Sequence, residues 1–112
     1  MLPKENRLRL DKDIKTLFAK GKGVFGVICG IKYRSNHLSV SRFAVVVGIK
    51  VSKKAVVRNR LRRQIRAMLR QELEHFRPGY DLMILVRPAA VNQTRDEIQT
   101  DLLKNLKKTP VL

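Results

Sequence analysis

The sequence predicts an α+β fold, a two-layer sandwich whose elements follow the order α-β-β-α-β-α. Its 112 residues fit a single domain over residues 1–112, because typical domains contain roughly 100–200 residues. Hydrophobic residues make up 44% of the chain, enough for a buried core without disulfide bonds. Apolar residues recur with helical spacing in some segments and alternate in others, which indicates both helices and strands.

The first half of the chain predicts one helix and two strands. The helix covers residues 12–20, with Asp11 as its N-cap and Gly21 as a left-handed residue that ends it. Alternating apolar residues predict strands over residues 24–34 and 41–49, and the short turn between them predicts an antiparallel hairpin. The alternation places five residues on one side of the first strand: Phe25, Val27, Cys29, Ile31 and Tyr33.

The second half predicts a long helix, a buried strand and a last helix. The long helix covers residues 54–75, and its core stripe consists of Leu61, Ile65, Met68, Leu69 and Leu73. The run DLMILVR, residues 81–87, is nearly all apolar, which predicts a central strand buried on both faces. Thr94 and Glu97 have the spacing of a capping box, which begins the last helix.

The distribution of charge predicts a polyanionic partner. The chain has 25 Lys and Arg against 9 Asp and Glu, and its formal net charge is +16. Residues 14–71 contain fifteen basic residues and no acidic one. Soluble surfaces normally mix both signs, because charges of one sign repel each other. The segment therefore indicates nucleic acid binding, in preference to an anionic membrane surface.

The densest basic segment is KKAVVRNRLRRQIR, residues 53–66. On a helix, Asn59, Arg63, Arg66 and Arg70 fall on one stripe. Guanidinium groups bind phosphate oxygens through paired hydrogen bonds, and a helix amino terminus favours anions. A solvated helix face is the alternative, but it leaves the missing i,i+4 glutamates unexplained. We predict nine residues as RNA contacts: Lys53, Lys54, Arg58, Asn59, Arg60, Arg62, Arg63, Arg66 and Arg70.

Two aromatic residues are candidates for base stacking. Spacing alone favours a core position for Phe18, whereas a core position and a stacking role are equally compatible with Tyr33. The acidic residues form no cluster in the basic segment, and neither His37 nor His75 has an evident partner. We therefore predict no catalytic and no metal-ligating residue in the polypeptide.

Other classes of protein are excluded by simple counts. The single cysteine, Cys29, rules out a disulfide framework and a multi-cysteine zinc module, and we interpret it as a core residue. The charged first ten residues are unlike a secretory signal, and no apolar stretch reaches the roughly 20 residues that cross a bilayer. We predict a soluble cytoplasmic protein with no membrane and no small-molecule partner.

The run AVVRNRLRRQIR, residues 55–66, resembles the signature of the bacterial ribonuclease P protein family. The similarity extends over nearly the whole chain, through LPKENRL (2–8), DIKTLFAKGK (13–22), RFAVVVGIKVSKKAVVRNR (42–60) and PGYDLMILVRPAA (78–90). This resemblance implies the protein subunit of a ribonucleoprotein endonuclease that cuts precursor tRNA to release its mature 5′ end. It also implies that the RNA subunit carries the chemistry and binds most of the Mg²⁺.

The resemblance further implies a fold and a second binding site. The fold is that of the second domain of the fifth small-subunit ribosomal protein, with a left-handed βαβ crossover. The RNR helix faces the catalytic RNA, and a cleft between the first helix and the sheet takes the single-stranded 5′ leader of precursor tRNA. The residues that map to this cleft are Phe18, Ile31, Tyr33 and Lys50. A structural ribosomal-type or nucleoid protein without a role in cleavage is the alternative function.

Overall fold

The structure, a computed structural model, describes residues 2–112 and has the predicted α+β architecture. The helices and strands, in chain order, are α1 (Asp11–Lys20), β1 (Lys22–Phe25), β2 (Cys29–Ser35), β3 (Arg42–Val46), α2 (Ala55–Gln71), β4 (Tyr80–Val86) and α3 (Arg95–Leu106). Short 3-10 turns occupy Lys4–Asn6, Leu73–His75 and Pro88–Asn92. The predicted order of elements is confirmed, with the first predicted strand divided into β1 and β2.

The four strands form one mixed sheet in the order β1-β2-β4-β3. β4 pairs antiparallel with β2 and parallel with β3. Its residues 81–84 are all buried, because helices cover both faces of the sheet at this strand. The prediction of a central strand buried on both faces is therefore confirmed.

The strand predicted over residues 24–34 is wrong as a single element. The chain reverses after Phe25, and β1 pairs antiparallel with β2. The turn is closed by the Gly26 N–H, which donates to the Cys29 carbonyl oxygen over 3.0 Å. A Cβ atom at Gly26 would lie 2.1 Å from the side-chain nitrogen of Asn105 on α3. The reversal therefore requires glycine, because the backbone at this position packs directly against α3. Alternation alone does not reveal such a break.

The hairpin predicted between the strands now called β2 and β3 is also wrong. β4 lies between them in the sheet. β3 pairs with β4 in parallel, and α2 connects these two strands, as a βαβ unit requires. The segment between β2 and β3 instead crosses the start of β4, where the Asn36 N–H donates to the Gly79 carbonyl oxygen over 2.8 Å. β4, the most apolar strand, lies between β2 and β3 because its side chains can be buried on both faces of the sheet. The left-handed sense of the crossover stays a prediction.

Helices cover the two faces of the sheet unequally. α2 and α3 pack on one face and form the main core, which includes Ile31, Leu82, Ile84, Ile65 and Leu102. On the other face, which we call the α1 face, α1 and the amino-terminal segment bury a smaller cluster of Leu8, Leu17 and Met83. Part of the α1 face therefore stays open to solvent.

The ends of the helices differ in detail from the predictions. Leu10, not Asp11, is the N-cap of α1, and Gly21 is extended (φ −72°), not left-handed. The long helix ends at Gln71, and a separate 3-10 turn continues to His75. The capping box of α3 is confirmed: the Glu97 N–H donates to Thr94 Oγ1 over 3.2 Å, and the Thr94 N–H donates to Glu97 Oε1 over 3.1 Å.

Candidate nucleic-acid interface

The amino-terminal end of α2 concentrates positive charge. The helix begins at Ala55, its N-cap residue Lys54 provides no side-chain hydrogen bond, and its first turn contains no acidic residue. Lys53 and Lys54 are both exposed. The unpaired N–H groups of a first helical turn and the helix dipole attract anions. This end of α2 is therefore suited to a phosphate group.

One face of α2 is buried and the opposite face is exposed. The buried side chains are Leu61, Ile65, Met68 and Leu69, as predicted. The exposed residues of the predicted set are Lys53, Lys54, Asn59, Arg60, Arg63, Arg66 and Arg70. Within residues 2–112, no carboxylate lies within salt-bridge distance of Arg60, Arg63 or Arg66. The fold thus leaves these three guanidinium groups without an internal counter-charge.

Arg58 and Arg62 are placed differently from the other arginines of α2, because both are half-buried. Arg58 Nη1 donates to the Ser52 carbonyl oxygen over 2.9 Å. Arg62 Nη2 donates to the Val47 carbonyl oxygen over 3.1 Å, and its Nη1 donates to Asn59 Oδ1 over 2.8 Å. These contacts fix α2 against the segment that follows β3, so part of each guanidinium group has a structural role.

The exposed Phe18 and the half-buried Lys32 form a pair on the α1 face. Lys32 Nζ lies 4.5 Å from the centroid of the Phe18 ring, and it donates a hydrogen bond to the Phe18 carbonyl oxygen. Lys32 pairs in register with Met83, which belongs to the smaller cluster that α1 buries on this face. Phe18 is 57% exposed, so its interpretation as a core aromatic is wrong. An exposed ring beside a cation is suited to stack a base and contact its phosphate.

Ile31 and Tyr33 lie on the opposite face of the sheet from this pair. Ile31 is fully buried in the main core, and the half-buried Tyr33 packs against that core. Their partners on β4, Ile84 and Leu82, belong to the same core. The assignment of Ile31 to an open cleft is therefore wrong, and Tyr33 does not join Phe18. Because side chains alternate along a strand, placing Ile31 in the core would have assigned Lys32 to the α1 face.

Lys50 is exposed in the turn after β3, where the Val51 N–H donates to the Gly48 carbonyl oxygen over 3.0 Å. The turn leads directly into the segment that precedes α2. Along the chain, Lys50 therefore extends the group of cations at the amino-terminal end of α2.

A groove connects the arginine face of α2 with the α1 face of the sheet. It has a volume of about 400 Å³ and lies between the amino-terminal segment, α1 and β3. Its lining includes Arg9, Ile14, Val46 and Arg66. Sequence reasoning missed Arg9, because only the tertiary fold brings it near Arg66. A mostly apolar groove with arginines in its lining therefore joins α2 to the α1 face at the β3 edge of the sheet.

The described residues offer poor chemistry for a metal centre or a nucleophile. Among residues 2–112, no three His, Cys, Asp or Glu side chains come together to hold a metal ion. Burial, reinforced by the charge of Asp101, raises the pKa of Cys29 to about 12, so its reactive thiolate form is suppressed. His75 Nδ1 lies 3.0 Å from Glu72 Oε2 in an exposed pair. No helix in the same range is long and apolar enough to cross a membrane.

Comparison with known proteins identifies close relatives of the chain. The family model described as Ribonuclease P matches residues 2–110. The ribonuclease P protein component of Pseudanabaena sp. is 37% identical over 113 residues, which cover 100% of this chain and 97% of the relative. The component from Microcystis aeruginosa is 32% identical, with coverage of 99% and 96%.

Solved structures show the same fold. A Staphylococcus aureus RNase P protein mutant with defective mRNA degradation activity matches with a TM-score of 0.91 and 26% identity, covering 97% of this chain and 92% of that one. The RNase P protein from Thermotoga maritima matches with a TM-score of 0.84 and 28% identity, covering 92% and 96%.

Proposed function

This chain belongs to the ribonuclease P protein family and is a subunit of that tRNA-processing endoribonuclease, and we propose that it binds two RNAs through two connected surfaces. The exposed face of α2 binds the RNA subunit, with which a protein of this family assembles. The open part of the α1 face binds the single-stranded 5′ leader of precursor tRNA.

The observation that carries the proposal is the exposed, unneutralised arginine face of α2. Arg60, Arg63 and Arg66 are exposed, and no carboxylate of residues 2–112 pairs with them. Lys50, Lys53 and Lys54 add charge at the end where α2 begins. A structured RNA presents phosphate groups at close spacing, and each neutralised phosphate releases counterions. Affinity for RNA therefore follows from the charge that the fold leaves unpaired.

The second surface is better suited to a single strand than to a duplex. Stacking on a protein ring requires unpaired, accessible bases. The α1 face offers the exposed ring of Phe18 with Lys32 beside it. The groove that contains Arg9 and Arg66 leads from this face to α2. A strand bound on the sheet would thus remain close to the RNA subunit bound on α2.

The proposal assigns cleavage of the phosphodiester bond to the RNA subunit. The described residues contain no group of three His, Cys, Asp or Glu side chains that could hold Mg²⁺, and burial suppresses the thiolate form of Cys29. The metal-ligating side chains of residues 2–112 do not fit a resident metal, so we assign Mg²⁺ binding mainly to the RNA. The protein contributes affinity and positioning, and we expect it to act in the cytoplasm.

The test compares precursor tRNA cleavage at low magnesium by the protein alone, the RNA subunit alone and the two together. We expect no cleavage by the protein alone and faster cleavage by the two together than by the RNA alone. The double variant Arg60→Ala, Arg63→Ala should bind the RNA subunit roughly tenfold more weakly per arginine, since a hydrogen bond to a charged group contributes about 1.5 kcal/mol. Its log–log salt dependence should become shallower by about 0.7–0.9 per lost phosphate contact.

The matched control is Lys107→Ala, which removes one exposed positive charge at the end of α3. It should leave RNA affinity nearly unchanged. Equal losses for the control and the double variant would reduce the effect to net charge and contradict a specific α2 surface. A protein that binds RNA without stimulating cleavage would favour the structural, nucleoid-type alternative.

A further inference from the structure

Phe25 lies flat on the edge of the sheet, over two glycines. It pairs in register with Gly30, and Gly23 precedes it by two residues on the same face of β1. A Cβ atom at Gly23 would lie 2.7 Å from two ring carbons of Phe25, and one at Gly30 would lie 3.0 Å from a third. The ring therefore rests on the backbone at both glycines. It is nevertheless 60% exposed, because nothing among residues 2–112 covers its outer face.

The ring begins an apolar row across the α1 face. Gly30 pairs with Leu85, and Leu85 pairs with Val46, so the row crosses all four strands. Three strand spacings give it a length of about 14 Å. Leu85 is half-buried and Val46 is 38% exposed. The row is thus an apolar strip that is open at its two ends, Phe25 and Val46, while Leu85 packs against the cluster that α1 covers.

The neighbouring row of the same face contains the Phe18–Lys32 pair. Lys32 pairs directly with Gly23, the glycine beneath the Phe25 ring. Lys32, whose ammonium group contacts the Phe18 ring, is therefore the cross-strand neighbour of the glycine on which the Phe25 ring rests. Two exposed aromatic rings on the face that carries this lysine are suited to the bases and phosphates of a single strand.

Ordinary packing does not account for this arrangement. A phenylalanine that stabilised the core would be largely buried, and a residue with a Cβ atom at Gly23 or Gly30 would occupy the space of the ring. The surrounding segment, residues 14–71, is free of acidic residues, which favours a polyanion over a protein partner.

We propose that Phe25, seated on Gly23 and Gly30, is a second stacking platform for a base of the single-stranded 5′ leader. The inference rests on the proposed function, because it requires that the α1 face binds the leader. It adds a site to that face, one sheet row away from Phe18 and Lys32.

The experiment uses the enzyme reconstituted from this protein and its RNA subunit. Affinity is measured for precursor tRNAs with a leader of several nucleotides and with a leader of one nucleotide. Phe25→Leu, which keeps an apolar side chain but loses the ring face, should weaken binding of the long-leader substrate about 5- to 150-fold, the range that stacking of one base corresponds to. Phe25→Trp, which keeps an aromatic ring, should bind the long-leader substrate as tightly as the parent does. Affinity for the short-leader substrate should be the same for both variants and the parent.

A second variant keeps the ring and moves it. Gly23→Ala places a methyl group 2.7 Å from the ring atoms, so the ring must tilt away from the sheet. We expect it to lose affinity for the long leader in the same direction as Phe25→Leu. The matched control is Gly48→Ala, because a Cβ atom there meets nothing within 4 Å. A fluorescent adenine analogue placed along the leader should be quenched at one position by the parent protein and less by Phe25→Leu.

The outcomes separate the two proposals. If Phe25→Leu and Gly23→Ala bind the long leader as the parent does, while the parent still prefers the long leader, only the Phe25 site is overturned. If the parent does not distinguish the two leaders, the leader-binding function itself fails. An equal loss for both leaders would place Phe25 against the RNA subunit or a protein partner, and would also overturn the inference.

Discussion

Arginines of the same acid-free segment, residues 14–71, have opposite environments in the fold: one is paired with carboxylates, and others are exposed without a carboxylate partner. Arg42, on β3, is enclosed: its Nε and Nη2 donate to the two carboxylate oxygens of Asp81 over 2.8 and 2.7 Å, and its Nη1 lies 3.4 Å from Asp13 Oδ2. The side-chain hydrogen bond to Asp81 is the main cause that raises the pKa of Arg42. Arg60 and Arg63, on α2, are exposed and have no carboxylate partner among residues 2–112.

The difference shows how one charge run can serve both stability and binding. Both carboxylates of the Arg42 cluster come from outside residues 14–71, Asp13 from α1 and Asp81 from β4. Asp81 also accepts from Asn36 Nδ2 over 2.9 Å, so the cluster joins α1, β3, β4 and the segment before β3. A paired charge in a partly buried site holds elements together, whereas an unpaired exposed charge remains free to attract a ligand.

The largest expected effect comes from breaking the paired group. Asp81→Asn leaves Arg42 partly buried without its main counter-charge, and we expect the free energy of unfolding to fall by about 2–3 kcal/mol. Urea unfolding measures the loss, and RNA affinity per folded molecule should stay within twofold. Glu74→Gln, at an exposed carboxylate, is the control and should change stability by less than about 0.5 kcal/mol. A full-stability Asp81→Asn protein would show that the cluster does not hold the fold.

A smaller effect should sharpen the comparison within α2. Arg62→Ala removes the hydrogen bonds to Val47 and Asn59, and we expect a loss of about 1–2 kcal/mol in unfolding free energy together with weaker RNA binding. Arg63→Ala should weaken RNA binding while changing stability by less than about 0.5 kcal/mol. Unfolding curves and RNA titrations of the same two preparations test both statements. Identical stabilities would mean that the Arg62 contacts have no structural role.

The smallest effect concerns Cys29, whose thiol lies in the main core. Burial raises its pKa from 9.0 to about 12, so the protonated thiol favours the folded state fully below pH 9, and this contribution is lost as the pH rises toward 12. Between pH 9 and 10 the parent should lose about 1 kcal/mol more stability than Cys29→Ala. Unfolding free energies at the two pH values measure the difference, and equal losses would contradict a buried thiol.

The same thiol can report which group of arginines a variant disturbs. Asp81→Asn should increase the rate at which a thiol reagent labels Cys29, because unfolding exposes it. Arg63→Ala should leave the labelling rate unchanged, because its effect is confined to the surface.

The predictions that succeeded depend on local geometry. The core stripe and exposed face of α2 follow from helical spacing, and the capping box of Thr94 and Glu97 follows from a three-residue interval. The failures involve relations between distant segments. The reversal at Gly26 depends on α3, and the facing of Ile31, Lys32 and Phe25 depends on how β1 and β2 pair across the sheet.

The amino-acid sequence by itself determined the segregation of charge and the arginine face of α2, because neighbours three and four residues apart on a helix share a face whatever surrounds them. The tertiary structure decided which arginine is paired and which aromatic rings are exposed. Arg42 meets Asp81 across 39 residues of sequence, and Phe25 reaches solvent because the chain turns after it and lays its ring on glycines. Strand pairing and sheet order set these contacts, and a one-residue change of register would reverse every side chain involved.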